Sequence, residues 1–231
     1  MRSRPYSICS APSRQGSFQL LIKTYPGGRV SGHLATLPIG QSAWFAKVRP
    51  SAIVLRARAS SAGAVAQTRT KPMAQGVVRA GLIAFGVGIS DCLHASRSLL
   101  EGGAETVVLV YCVRLVAEAV LRDEIEALQR DFPERFAVRY FLSRESPATV
   151  TLDGAVCGRL DRAALEATFG GWAKEGRARG SAFLVVGTRA MNRQTYGLLA
   201  EIGLPRLLCG FRGTEPPEEI AASADAEDKL L

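Results

Sequence analysis

Between residues 79 and 201 the chain alternates short apolar runs with segments of helical periodicity. The runs with strand length and strand-forming residues span 79–85, 105–112, 136–143 and 182–187. The helical segments that follow them span 91–100, 118–130, 162–169 and 190–201. Strands that alternate with helices at this spacing form a parallel sheet with right-handed crossovers. We therefore predict a doubly wound α/β domain over residues 78–213.

Residues 1–50 have a different pattern. The run 18–25 is rich in strand formers and ends at the strong turn signal Pro26-Gly27-Gly28. A short helix capped by Ser31 is predicted over 31–36, and a further strand over 42–48. These elements are too few to close a β-barrel by themselves.

Two other segments lack the marks of core elements. Residues 51–75 contain Ala, Ser, Arg, Gly and Thr without large apolar periodicity, which indicates a loop, and we place a linker over 51–77. The tail 214–231 begins with prolines and then becomes rich in Ala, Asp and Glu, a composition typical of disorder.

The charge distribution changes at Asp91, the first acidic residue of the chain. Residues 1–90 hold 12 of the 29 Lys and Arg residues. A positive half of this kind attracts phosphates or an acidic protein partner. The acid-free, Ser-rich stretch from Met1 to Ser17 also suits a mitochondrial presequence. Nucleic-acid binding is disfavoured, because the basic residues are dispersed and no aromatic side chains interleave with them.

The cysteines and histidines argue against a metal site. The five cysteines are scattered, with no CxxC pair and none of the spacing of a zinc site, and we predict no metal at His33 or His94. Dispersed cysteines of odd number favour free thiols in a reducing compartment. The apolar runs are far shorter than the roughly 18 residues of a membrane-spanning helix, so we expect any membrane anchor to lie outside this chain.

Two loops that follow predicted strands contain glycine, and ligands of open α/β sheets bind beyond the carboxyl ends of the strands. In the first, a buried strand runs into Gly86 and Gly88 and then Ser90, which can cap the next helix. Such glycines let backbone N–H groups approach a pyrophosphate at a helix N-terminus. Asp91 replaces the third glycine of the dinucleotide fingerprint, so an isolated tight turn stays open as an alternative. The second loop, at Gly187, follows an apolar strand in the same way.

A third motif lies near the N-terminus. It consists of Arg4-Pro5-Tyr6-Ser7, then the strand with Lys23 and Tyr25, and then the loop Gly28-Arg29-Val30-Ser31. These pieces occur in the order and spacing of the cytochrome b5 reductase group, and the chain resembles that group of the ferredoxin-NADP reductase superfamily over about residues 4–210. The resemblance implies that residues 1–50 form part of an antiparallel β-barrel FAD-binding domain. It begins partway through that domain, so the strands that close the barrel are expected upstream, unless the chain is a remnant.

The resemblance also implies a set of contacts to FAD. Arg4 pairs with the pyrophosphate, Tyr6 packs on the isoalloxazine, and Ser7 approaches the reactive flavin nitrogen as a catalytic residue. The loop from Gly28 holds the pyrophosphate with backbone amides and a serine hydroxyl at a helix N-terminus. Lys23 matches a lysine near the nicotinamide nucleotide. The implied cofactor-binding residues of this part are Arg4, Pro5, Tyr6, Ser7, Lys23, Tyr25, Gly28, Arg29, Val30 and Ser31.

The first glycine loop resembles the Gly-Gly-Thr-Gly-Ile-Thr segment that lies under the nicotinamide and pyrophosphate of NAD(P)H in the same family. Gly86, Gly88 and Ser90 match it, and Ser90 takes a catalytic position. Phe85 stands in place of a glycine and adds a bulky ring. Val87 stands in place of the threonine and removes a hydroxyl.

The second glycine loop resembles the family's Cys-Gly-Pro-x-x-Met segment. Gly187 and Met191 match it and are further implied contacts to NAD(P)H. Val186 replaces the cysteine that helps to position the nicotinamide, and Thr188 replaces the proline. The departures in the two loops together imply that hydride transfer is slow or absent.

The function implied by the resemblance is oxidation of NADH by a flavoprotein, which passes single electrons from FAD to an acidic haem protein such as cytochrome b5. A module that uses another acceptor, like that of nitrate reductase, stays open. So does a nucleotide-binding or interaction protein without turnover. NADH is expected over NADPH from the preference of the family, although Arg114 and Arg144 each follow a strand where a 2′-phosphate could be bound.

Overall fold

The computed structural model of the chain describes residues 4, 6–10, 14–45, 55–57, 74–148, 150–174, 181–204 and 209–210. By its internal contacts the chain divides into two units, Met1–Ser51 and Ala52–Leu231. The predictions for Pro5, for most of the 51–77 linker and for the 214–231 tail lie outside the described residues.

The first unit contains one helix and one antiparallel bridge in its described part. Ile8 bridges to Leu20, and Cys9 N donates to Gln19 O at 2.9 Å. Of the run 18–25 only Leu20 takes part in a bridge, so the strand predicted there is wrong, because a strand needs a neighbour that satisfies its backbone groups. Residues 42–45 have no regular structure, so the described part of the strand predicted over 42–48 is wrong as well.

Helix α1 (Arg29–Thr36) begins two residues before its predicted start at Ser31. Gly28 is its N-cap, with extended backbone and no side-chain cap hydrogen bond. Gly32 N donates to Gly28 O at 2.7 Å, which closes the first turn. Ser31 thus lies inside the helix, and its predicted capping role is wrong.

The second unit is built around a parallel sheet. Two short parallel strands, β1 (Leu55–Ala57) and β2 (Ala74–Val77), pair with each other at its start. A six-stranded sheet follows, formed by β3 (Arg79–Phe85), β4 (Thr106–Val113), β5 (Phe136–Leu142), β6 (Val156–Cys157), β7 (Ser181–Val186) and β8 (Cys209–Gly210). Its strand order is β6-β5-β4-β3-β7-β8, and all of its pairings are parallel. Every residue of β7 is buried, as is typical of a parallel strand covered on both faces.

Four helices connect these strands: α2 (Ile89–Glu101), α3 (Arg122–Asp131), α4 (Arg162–Lys174) and α5 (Arg189–Glu201). In α2 the buried side chains recur at three- and four-residue spacing, which is the pattern of an amphipathic helix. The doubly wound α/β domain predicted from the sequence is therefore confirmed. No helix in the described ranges has the length and apolarity to cross a bilayer.

Helices α3 and α4 differ most from their predicted ranges. A 3-10 turn at Val116–Glu118 and a left-handed backbone at Leu121, with φ 60°, delay the start of α3 to Arg122. Helix α4 continues past residue 169 to Lys174. The continuation is stabilised by Trp172, whose ring packs on Phe169 with centroids 5.2 Å apart.

Gly81 lies in the middle of β3, where two aromatic rings pack together. Its register partner on β7 is Phe183, whose ring would clash with an added Cβ. Phe169 from α4 would also lie 3.0 Å from that Cβ. The two rings meet edge to face, with centroids 5.1 Å apart. Glycine weakens a strand, but here the missing side chain makes room for this aromatic pair.

We expect Gly81→Ala to lower the free energy of unfolding by about 1–3 kcal/mol, because the methyl group overpacks the core. Urea unfolding of the full chain measures this. The matched control is Gly197→Ala in α5, where an added Cβ meets nothing within 4 Å. That substitution should stabilise the helix by up to about 1 kcal/mol. Equal effects of the two substitutions would contradict the packing role of Gly81.

Candidate functional site

The strand order of the sheet reverses at β3. The chain adds β4, β5 and β6 on one side of β3, and then adds β7 and β8 on the other. Ala84 of β3 pairs in register with Val186 of β7, so the carboxyl ends of these strands lie side by side. Such a switch point is where open α/β sheets bind ligands. The two predicted glycine loops, at Gly86–Gly88 and at Gly187, therefore meet at one place.

The glycines of the first loop are required by the backbone. Gly86 has φ +56°, in the left-handed region, and an added Cβ would meet nothing within 4 Å. At Gly88 an added Cβ would clash with the carbonyl oxygen of Val186, so the loop is pressed against the end of β7. The turn Gly86–Gly88 leads directly into Ile89, the first residue of α2. Open space beside Gly86 at the start of a helix suits the approach of a phosphate.

Ser90 lies in the first turn of α2 and does not cap the helix. The N-cap is Gly88, without a side-chain cap hydrogen bond, so the predicted capping role of Ser90 is wrong. Ser90 is buried, and its hydroxyl donates to Val87 O at 3.0 Å. The hydroxyl therefore supports the turn through its proton, while its lone pairs can still accept a hydrogen bond.

The second loop is capped by a side chain. Thr188 is the N-cap of α5, and its Oγ1 accepts from Met191 N at 3.4 Å. Thr188 therefore caps α5 with its side-chain oxygen. The proline of the resembled motif has no side-chain oxygen and cannot form this cap. Met191, a predicted contact residue, is exposed.

Phe85 packs against Gly187. An added Cβ at Gly187 would lie 2.8 Å from Cδ2 of the Phe85 ring and 3.2 Å from Asn192 Oδ1. The ring is half-buried, and Asn192 is only 1% exposed. Within the described ranges, neither the side-chain nitrogen nor the side-chain oxygen of Asn192 has a hydrogen-bond partner.

Asn192 is a residue that the sequence analysis missed. It lies on the inward face of α5 with Tyr196 and Leu199, at four- and three-residue spacing, and all three side chains are buried. The available signal was a polar amide in line with core positions. Buried polar groups are usually paired, so a buried amide without a partner among the described residues calls for an explanation.

The carboxyl ends of β4 and β5 carry a charged cluster. Arg114 Nε donates to Glu118 Oε2 at 3.0 Å, and its Nη2 bonds the other carboxylate oxygen. This carboxylate raises the pKa of Arg114. Glu145 Oε2 accepts from Val116 N at 2.9 Å, and Arg144 N donates to Arg114 O at 2.9 Å. The two arginines considered for a 2′-phosphate are thus adjacent, and one of them is engaged by a carboxylate.

The predicted residues of the first unit lie around one loop and one bridged segment. Arg4, Tyr6 and Ser7 precede the bridge at Ile8. Lys23 and Tyr25 form a contact in which the ammonium nitrogen lies 5.9 Å from the ring centroid. The remaining described members are Gly28, Arg29, Val30 and Ser31.

Gly28 closes a turn that begins at Tyr25. An added Cβ would clash with Ser31 Oγ and lie 3.0 Å from Tyr25 O. Ser31 is buried, and Gly28 N donates to Tyr25 O at 2.9 Å. The glycine at this position therefore brings the Ser31 hydroxyl close to the backbone at the start of α1.

Two thiols lie near the switch point, one on the buried Cys92 and one on the half-buried Cys112. Burial raises the pKa of Cys112 on β4 to about 12, and it also raises the pKa of Cys92 on α2. Both are therefore protonated at neutral pH and weak nucleophiles. In the described part of the chain no three His, Cys, Asp or Glu side chains come together as a metal site.

Comparison with known families identifies both units. Residues 1–46 match the model of the oxidoreductase FAD-binding domain, and residues 82–196 match that of the oxidoreductase NAD-binding domain. The chain belongs to the ferredoxin-NADP reductase superfamily and is cytochrome b5 reductase-like. The cofactors of its two matched domains are FAD and a nicotinamide nucleotide.

Relatives of this reductase-like chain include NADH-cytochrome b5 reductases. It is 28% identical to reductase 1 of Arabidopsis thaliana over 144 residues, covering 61% of the chain and 44% of that protein. It is 27% identical to reductase 1 of Rattus norvegicus over 150 residues, covering 60% of the chain and 48% of that protein. The chain thus spans less than half the length of these relatives.

Solved structures of the superfamily share the fold. The cytochrome b5 reductase domain of Ulva prolifera nitrate reductase matches with a TM-score of 0.60 and 18% identity, over 89% of this chain and 75% of that one. A ferredoxin NADP+ reductase from Neisseria gonorrhoeae, with bound FAD and NADP, matches with a TM-score of 0.53 and 16% identity, over 87% and 72%. At these identities the likeness concerns the fold alone.

We expect Thr188→Ala to destabilise the start of α5 by about 1 kcal/mol, because the Met191 amide loses its side-chain acceptor. Thr188→Ser keeps the hydroxyl and serves as the control. Thermal unfolding gives the stability, and amide hydrogen exchange at Met191 reports the cap itself. Unchanged exchange at Met191 in the alanine variant would show that the cap is dispensable.

Proposed function

We propose that this protein is an FAD-dependent oxidoreductase that oxidises NADH and passes electrons to an acidic haem protein such as cytochrome b5. The observation that carries the proposal is the meeting of the Gly86–Gly88 turn with Gly187 at the switch point of the sheet. That meeting lies within the residues matched by the NAD-binding domain model. The chemistry that FAD supplies is the conversion of a two-electron donor into single electrons for the acceptor.

On the nucleotide side, the proposal assigns the pyrophosphate to the start of α2. Gly86 leaves open space there, and the tight contact of Gly88 with Val186 holds the turn in place. Ser90 supports the turn through Val87 O. Gly187, which precedes the N-cap of α5, and the exposed Met191 flank the same site.

On the flavin side, the proposal assigns residues 1–50 to part of an antiparallel FAD-binding barrel. Arg4 pairs with the pyrophosphate, Tyr6 covers the flavin ring, and Ser7 lies at its reactive nitrogen, with Pro5 between them. The loop of Gly28, Arg29, Val30 and Ser31 holds the pyrophosphate at the N-terminus of α1, with Lys23 and Tyr25 on the preceding segment. The close approach of Gly28 to Ser31 supports this assignment, because it gathers a hydroxyl and backbone amides at a helix start.

We expect the purified full chain to bind FAD, and Arg4→Ala to weaken that binding roughly ten- to a hundredfold, since a charged hydrogen-bond partner of the phosphate is lost. Arg14→Ala is the control, because Arg14 is an exposed arginine of the same unit outside the motif. Flavin fluorescence titration measures both. Equal FAD affinity in the two variants would remove Arg4 from the flavin site.

NADH is favoured over NADPH by the arginine–carboxylate pair at the end of β4. Glu118 holds the Arg114 guanidinium, so a 2′-phosphate finds there a cation that is already neutralised. A carboxylate at the same place accepts the ribose hydroxyl that NADH carries. Arg144, exposed on the neighbouring strand end, is the remaining cation of the cluster.

Glu118→Gln should release Arg114 and raise the affinity for 2′-phospho-ADP-ribose relative to ADP-ribose by about fivefold, the size expected of an exposed charge pair. Calorimetric titration of the two ligands gives the ratio without turnover. Glu101→Gln removes one exposed carboxylate at the end of α2 and should leave the ratio unchanged. A ratio that moves equally in both variants would mean that only net charge matters.

The positive first part of the chain supports an acidic electron acceptor. Residues 1–90 carry 12 Lys and Arg and no Asp or Glu, so their field steers a negatively charged haem protein toward the flavin unit. Cytochrome b5 is the acceptor proposed from the relatives. The alternative, a related reductase module with another acceptor, differs from this proposal only in the protein that receives the electrons.

A second candidate function is a nucleotide-binding protein without turnover. The specific observation that favours it is the Phe85 ring packed against Gly187. In this position the ring would obstruct a nicotinamide that enters the site. Val186, which stands in place of a cysteine, also favours this second candidate function. Reduction of bound FAD by NADH under anaerobic conditions separates the two, since the binding protein would leave the flavin oxidised.

A further inference from the structure

Asn192 combines deep burial with a wholly unpaired amide. It is 1% exposed, and neither its donor nor its acceptor atom has a partner among the described residues. Its neighbour on the same helix face behaves differently, because the Tyr196 hydroxyl accepts from Val185 N at 3.1 Å. A buried amide without partners destabilises the fold, and a leucine of nearly the same shape would not. The folded protein therefore carries a group that a packed core does not require.

The Asn192 amide lies beside Gly187, the glycine of the second loop. Its Oδ1 and the Cδ2 atom of Phe85 lie 3.2 Å and 2.8 Å from one common point, the place of a Cβ on Gly187. Gly187 has no side chain at that point, and the Phe85 ring packs there beside the amide. The ring is half-buried, and a half-buried aromatic side chain can change rotamer.

The amide offers one donor group and one acceptor group at the same spot. The chemical group that complements this pair is another carboxamide, which presents an acceptor oxygen and a donor nitrogen in one plane. The location at the β3–β7 switch point limits the ligand to one that reaches the glycine turn of α2 as well. A nucleotide with a terminal carboxamide meets both conditions.

We propose that Asn192 binds the carboxamide of a nicotinamide nucleotide and that the Phe85 ring occupies this subsite until the nucleotide displaces it. The inference rests on the proposed function, which it deepens by naming a recognition residue and the side chain that guards it. Binding of the nicotinamide end then costs the displacement of Phe85 and gains the pairing of Asn192.

The test compares NAD+ with ADP-ribose, which has the same adenosine and pyrophosphate but no nicotinamide. Calorimetric titration of the full chain should show that Phe85→Ala raises NAD+ affinity about tenfold and leaves ADP-ribose affinity unchanged. In the Phe85→Ala background, Asn192→Leu should lower NAD+ affinity about tenfold, again without effect on ADP-ribose. Gln194→Leu, which removes an exposed amide from the same helix, is the control for both ligands.

Thermal unfolding provides a second measurement. The Tm of the Asn192→Leu variant changes in one direction if Asn192 is kept for the ligand, and in the opposite direction if Asn192 has a structural role. If the amide is kept for the ligand, Asn192→Leu raises the Tm of the free protein. If the amide is paired through buried water as part of the fold, the same substitution lowers the Tm, and the inference is overturned.

The outcomes also separate this inference from the proposed function. ADP-ribose that binds normally, with an NAD+ to ADP-ribose ratio unchanged by Asn192→Leu, contradicts the role of Asn192 alone. A full chain that binds neither ligand contradicts the proposed nucleotide function and this inference with it.

Discussion

The in-register pairing of β3 with β7 is the constraint on which the rest of the site depends. It brings two strand ends together that lie about a hundred residues apart in the chain, and it makes the sheet reverse its order there. The pairing is close because two residues lack side chains. Gly81 admits the Phe183 ring, and Gly88 lies against the carbonyl of Val186. Larger side chains at either position would push the strands or the loop apart, and the helix start that faces the site would move with them.

Most of the second unit could be predicted from sequence, because its four longest strands are mainly apolar and its helices have clear periodicity. The failures have local causes. The start of α3 is set by a 3-10 turn and by the left-handed backbone of Leu121, which no periodicity encodes. In the first unit the run 18–25 has strand composition, but a strand also needs a neighbour, and only Leu20 has a bridge partner among the described residues. Composition predicts a preference, whereas pairing is a tertiary property.

Some features of the candidate site could likewise be predicted from the sequence, and others could not. Gly86, Gly88 and Gly187 were predictable because glycine after a buried strand has few other uses, and each has a steric reason in the structure. The capping role predicted for Ser90 failed, since a hydroxyl one turn into a helix bonds backward as readily as forward. Asn192 was missed because the burial of its amide without a partner among the described residues is a tertiary property, which sequence does not reveal. The sequence shows that Phe85 and Val186 depart from the resembled motifs. It does not show that the Phe85 ring lies against Gly187.

The central claim is that a nicotinamide nucleotide binds at the β3–β7 switch point, with its pyrophosphate at the start of α2. Titration of the isotopically labelled full chain with ADP-ribose, followed by amide chemical shifts in NMR, tests it most directly. The largest saturable shifts are expected on the amides of residues 86–90 and 187–191. Saturable shifts confined to other parts of the chain, or no shifts at ligand concentrations that saturate related reductases, would contradict it.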